Sequence, residues 1–136
     1  MKPVATESQE QQAVVEWWDS YCKTQRLDYR LLVAIPNGSV LAGDARRKAM
    51  QAARLKREGM RPGHPDLQLA VMRGGYGGLK IEMKRKGWKP LKSDLHFGLQ
   101  LEYMMLLKTQ GYLCATAAGA KEAIEAIEYY LKLGKP

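Results

Sequence analysis

Apolar positions recur along the chain at two spacings, one helical and one strand-like. Val14, Trp18, Tyr21 and Cys22 repeat on one face of a helix, and Thr6 followed three residues later by Gln9 forms a capping box. A first helix is therefore predicted over Glu7–Gln25, with Glu7 and Gln11 sharing its inward face and Glu16 on the opposite, solvated side. Residues 31–35 form a short apolar run closed by Pro36, Asn37 and Gly38, the pattern of a buried strand that ends in a turn. A second helix is predicted over residues 45–58, with Asp44 as its N-cap and Gly59 just past its end. Ala45, Ala49, Ala52 and Ala53 share one side of it, which predicts close packing on the layer beneath, while Arg46, Arg47, Arg54 and Arg57 make a basic stripe on another side. Residues 66–72 and 79–84 read as two strands joined by a glycine-rich hairpin loop. A further apolar helix over 94–110, a strand over 112–117 and an amphipathic helix over 120–133, with Ile124, Ile127 and Leu131 inward, complete the order. No repeat or linker interrupts it, so a single α/β domain over residues 1–136 is expected.

The charge adds a partner class to this outline. The 136 residues hold 22 Lys and Arg against 14 Asp and Glu, a net charge of +8. Residues 44–61 contain seven of the basic residues and residues 80–92 contain six, so 13 of the 22 sit in 31 positions. Clustering of that kind builds a field suited to a polyanion, nucleic acid first and an anionic membrane surface second. The longest apolar runs are five residues, far short of a membrane span, and the N-terminus has no signal-like apolar core, so a cytosolic protein is expected. Cys22 and Cys114 have no metal-site or disulfide spacing and read as buried thiols.

The most informative stretch is Gly63-His64-Pro65-Asp66, followed across the hairpin by Ile81-Glu82-Met83-Lys84. Alternation on a strand puts Glu82 and Lys84 on one face and Met83 on the other, and a hairpin can bring the Asp66 carboxylate beside that of Glu82. Two hard carboxylates at a strand end suit an oxygen-loving divalent cation, and a lysine two residues on can orient water and offset charge developing on a phosphate. His64 and His96 read as non-catalytic, Trp17 and Trp18 as core or interface residues, and Trp88, in a basic loop, divides evenly between DNA contact and packing.

Asn37-Gly38, Leu55-Lys56 with Gly59, Gly63-x-Pro65-Asp66, Gly78-Leu79-x-Ile81-Glu82-x-Lys84, and Gln100 ahead of Gly111-Tyr112 together resemble the virus-type replication-repair nuclease (VRR-NUC) domain, a branch of the PD-(D/E)xK nucleases. The resemblance runs from about Glu7 to the last helix. It implies a restriction-endonuclease-like core, a mixed β-sheet flanked by helices. It also implies that Asp66, Glu82 and the Met83 carbonyl ligate Mg²⁺ or Mn²⁺, with Glu7 completing the site or its water shell and Gln11 supporting it. Lys84 would position the attacking water, and Gln100 would contact the active site or a phosphate. Arg46, Arg47, Arg54, Arg57, Lys86 and Lys89 are the expected DNA contacts. The activity implied is metal-dependent cleavage of branched DNA by a homodimer, a Holliday-junction resolvase of phage or prophage origin. Trp17, Tyr129 and Tyr130 are the candidate aromatic area for the dimer contact. The alternatives are a non-cleaving DNA-binding module on the same fold, a flap or other structure-specific nuclease, or a sequence-specific restriction enzyme, for which 136 residues leave little chain for base readout.

Overall fold

The computed structural model describes residues 3–36 and 41–136; the turn expected at Asn37-Gly38 lies outside the described residues. Helix α1 (Glu7–Gln25) begins at the predicted capping box, in which Thr6 and Gln9 satisfy each other's backbone N–H groups. A single 3₁₀ turn (Tyr29–Leu31) leads into β1 (Leu32–Ala34). Helix α2 (Ala45–Arg57), strands β2 (Leu67–Leu69) and β3 (Gly78–Lys84), helix α3 (Leu95–Thr109), strand β4 (Tyr112–Ala118) and helix α4 (Ala120–Leu131) follow. The sheet order is β1-β2-β3-β4; β2 runs antiparallel to both β1 and β3, while β4 lies parallel to β3 after the crossover through α3. The fold is thus α/β, a mixed open sheet with helices on both faces.

Every residue of β3 is buried, because the strand has a neighbour on each edge and a helical layer on each face. Leu79, Ile81 and Met83 point to the side covered by α1 and α4, where they meet Val14, Trp18, Cys22, Ala123, Ile127 and Tyr130. Each large aliphatic side chain fully buried there contributes about 1.5–3 kcal/mol. The two polar tips in this core are satisfied: Trp18 Nε1 donates to the Tyr29 carbonyl at 2.8 Å and the Tyr130 hydroxyl to the Val71 carbonyl at 2.6 Å. Helix α4 starts at Gly119, which has no side chain to cap it. Glu10 of α1 supplies that cap, its carboxylate accepting the Ala120 N–H at 2.6 Å, and so fastens the two helices together at one end.

Four expectations are corrected. The run 31–35 is not a buried strand: β1 is shorter and lies at the edge of the sheet with Val33 and Ala34 exposed. The strand expected over 66–72 reduces to Leu67–Leu69. The alanine side of α2 does not pack: Ala45, Ala49 and Ala53 are exposed, Ala52 is half-buried, and the helix has no buried residue. Both sheet faces are already occupied by α1, α4 and α3, so α2 stands clear of the core, braced by Gln51, whose amide exchanges two hydrogen bonds with the backbone of Ala42. Finally, the aromatic area expected for a dimer contact is largely internal. Trp17 stacks on Tyr21 and Tyr130 is fully buried, leaving Tyr129 exposed.

The apolar helix α3 buries few of its apolar side chains. Its buried positions are Gln100 and Met104, while Leu95 (85% exposed), Leu99, Leu101, Met105 and Leu106 face outward. Among the described residues no helix is long and apolar enough to cross a membrane.

Candidate active site

Alternation along β3 sends Lys80, Glu82 and Lys84 to the face opposite the aliphatic core, beneath α3, and all three are buried. The β2–β3 register pairs Leu67 with Ile81, so one step further it sets Asp66 opposite Glu82. Asp66 is fixed by its Oδ2, which accepts the Met83 N–H at 2.8 Å. The loop that delivers it needs a glycine: Gly63 has φ of +87°, and a Cβ there would come within 3.2 Å of the Leu99 carbonyl oxygen on α3. Pro65, buried behind it, keeps the approach extended.

Glu82, Lys84, Asp66, Gln100, Glu7, His64 and His96 line one cleft of about 270 Å³ between the end of the sheet, α3 and the start of α1. Gln100 Nε2 donates to Glu82 Oε1 at 2.9 Å. The other oxygen of Glu82 and the amide oxygen of Gln100 are buried with no hydrogen-bond partner. Burial, followed by the charge of Asp66, pushes the Glu82 carboxyl up to about 9, with Lys84 pulling in the opposite direction. The Lys84 ammonium stands 4.0 Å from Glu82 Oε1, too long for a hydrogen bond, and lies 5.0 Å over the ring of Trp88. Trp88 in turn packs edge-on against Phe97 of α3. Trp88 thus packs between Lys84 and Phe97 while staying half-exposed.

The structure thus brings together Glu7, Asp66, Glu82, Lys84 and Gln100, the five residues expected to do the chemistry. Met83 contributes its side chain to the core and its N–H to Asp66. Gln11 is not at the cleft; it lines a separate shallow depression with Gln12, Val15 and Glu16, because one turn of α1 carries it past the end of the sheet site. Arg46, Arg47, Arg54 and Arg57 are exposed along α2, where Arg54 pairs with Glu58 at 3.1 Å, and Lys86 and Lys89 are exposed in the loop after β3. Lys80, counted with the basic cluster, belongs instead to the interior: it bonds Gln68 Oε1, lies 4.7 Å over the Tyr112 ring, and burial holds its ammonium below the usual lysine range.

Two residues that the sequence marks as non-catalytic line the cleft. His64 lines the cleft with Nδ1 2.8 Å from the Pro65 carbonyl and its ring edge-on to Tyr103; burial, ahead of the other influences, shifts its pKa down. His96 touches Gln100, one helical turn away. Only the i, i+4 spacing on α3 could have signalled the second contact.

A divalent cation can be tested against these groups. Among the described residues no three His, Cys, Asp or Glu side chains form a metal-binding group by themselves. A site of two carboxylates completed by backbone and amide oxygens is still hard-oxygen chemistry, and the partnerless oxygens of Glu82 and Gln100, buried beside Asp66, are what such a cation would satisfy. The donor set fits Mg²⁺ or Mn²⁺.

No protein-family model and no curated protein matches the sequence. A solved structure of a VRR_NUC domain protein does match: it superposes with a TM-score of 0.71 at 28% sequence identity, over 99% of this chain and 94% of the other. The fold therefore converges with the sequence motifs, and the likeness over nearly the whole of both chains supports a VRR-NUC domain.

Proposed function

We propose that this chain is a metal-dependent endonuclease that hydrolyses phosphodiester bonds in branched DNA. The observation that carries the proposal is the pair of buried, partnerless oxygens on Glu82 and Gln100 beside Asp66. A binding module has no use for carboxylates that repel phosphate, nor for polar atoms whose burial without a partner costs about 1–3 kcal/mol each. Asp66, Glu82 and the Met83 carbonyl would hold Mg²⁺ or Mn²⁺, with Glu7 at the rim. When bound, that cation supplies a more acidic water and neutralises charge on the scissile phosphate. Lys84, steadied by Trp88, donates to the attacking water or a phosphate oxygen, and Gln100 holds Glu82 in place. The product would carry a 5′-phosphate. The basic residues of α2 and of the loop carrying Lys86 and Lys89 would bind the flanking backbone without reading sequence.

A homodimer acting on four-way junctions is the form of this activity we favour, since two incisions need two sites and a two-fold axis supplies them. What supports it is the outward apolar row of α3 together with α2, a helix with no buried residue, for which a second copy would provide cover. The test is one gel. Purified protein is incubated with four-way junction, flap, splayed-arm and linear duplex DNA in Mg²⁺, Mn²⁺ or EDTA. Paired cuts in the junction, lost in EDTA, are expected. Binding without cleavage under every metal would identify a non-cleaving module, and preferential nicking of flaps a different structure-specific nuclease. Light scattering should give about twice the 15.3 kDa chain mass.

A further inference from the structure

Gln100 uses one atom for two neighbours. Its Nε2 lies 2.9 Å from Glu82 Oε1 and 3.2 Å from His96 Nε2. In the cation-holding state of the function proposed above, on which this inference rests, Glu82 is ionised and its oxygen only accepts. The amide must then present its nitrogen, not its oxygen, to Glu82. That nitrogen has two hydrogens, and the second is aimed at His96. His96 Nε2 must therefore be the lone-pair nitrogen of the ring, with the proton on Nδ1. The far end of the amide is left as the structure has it, with Oε1 buried and without a partner at the cleft.

We infer that His96 is a positioning residue, an acceptor that pins the Gln100 amide in the orientation that leaves Oε1 open to the site and Nε2 on Glu82. It touches no reacting atom. Its effect runs through Gln100, because an amide turned over would set two oxygens against each other at Glu82 Oε1 and close the open position. The contact is local to α3: Asp94 caps the helix by accepting the Phe97 N–H at 2.9 Å, which fixes the first turn and, with it, the backbone that carries His96.

The acceptor role separates substitutions that a merely structural role would treat alike. His96→Ala should lower kcat about five-fold with KM unchanged, the scale of removing one neutral hydrogen bond. His96→Gln, which can offer an amide oxygen from the same turn, should restore most of that activity. His96→Lys, a donor only, should not. A readout independent of turnover is the ¹⁵N–¹H correlation spectrum of histidine-labelled protein in Mg²⁺. His96 should appear with its proton on Nδ1, and Gln100→Ala should release it toward the Nε2–H form that an unconstrained imidazole favours. A wild-type ring protonated at Nε2, or Ala and Gln variants equal to each other in turnover, would overturn the inference. If wild-type protein cleaves no DNA under any metal, the nuclease proposal fails by itself, and the tautomer decides the fate of this one.

Discussion

Arg54 on α2 and Lys84 on β3 come from stretches of nearly equal basic density and share little beyond their charge. Arg54 is exposed on a helix that buries nothing, paired with Glu58 in water. Lys84 is buried on the central strand, its ammonium held over Trp88 and its neighbours fixed by both sheet faces. A cation in the first setting is worth about 0–1 kcal/mol to the fold, is screened by salt, and is available to a polyanion. In the second it is costly to bury, and it is retained where a fixed positive charge can serve chemistry. Charge counted along a sequence thus identifies a partner class, while only burial separates the residues that hold the partner from those that act on it.

The sharpest way to break this comparison is at the strand. Lys84→Ala should reduce turnover at least about 100-fold, and Asp66→Ala or Glu82→Ala should abolish it, with DNA affinity nearly unchanged, as measured by single-turnover cleavage beside filter binding. Next come the α2 arginines. Replacing Arg46, Arg54 or Arg57 with Ala should weaken binding equally for all sequences and flatten the dependence of log K on log salt by about one unit for each arginine replaced, with cleavage of bound DNA unaffected. Weakening confined to particular sequences would mean base readout. The smallest effects concern stability. Glu10→Ala removes the cap on α4 and should cost about 1 kcal/mol, lowering Tm by about 4 °C in calorimetry. Ala49→Gly, worth about as much locally, should leave Tm unmoved because α2 unfolds apart from the core.

Much of this molecule was legible in its residues because local rules and tertiary packing agree. Thr6 with Gln9, Asp44, and the glycines after α2 and α3 marked helix ends to within a residue or two, since caps are chemically local. The two-residue period of β3 separated Glu82 and Lys84 from Met83 in the same way. What escaped was decided at a distance. The alanines of α2 satisfy a packing pattern, yet no sheet face remained for them. Lys80 looks like any surface lysine until Gln68 and Tyr112 close around it. Gln11 sits on the inward face of α1 but one turn beyond the cleft, an offset that wheel geometry does not contain. Glu10 capping α4 joins residues 110 positions apart, which no local pattern encodes.

The isolation of α2 has a consequence for handling and for regulation of access. A helix of 13 residues without buried side chains is near the length at which isolated helices are marginal in water. Its amides should exchange with solvent almost as fast as those of an unstructured peptide, and its seven-residue run from Gln51 to Arg57 presents three exposed trypsin sites. Bound DNA or a second subunit would shield those bonds. Limited trypsin digestion therefore follows occupancy of this helix directly, with cleavage in α2 preceding any in β3 and slowing as its cover forms.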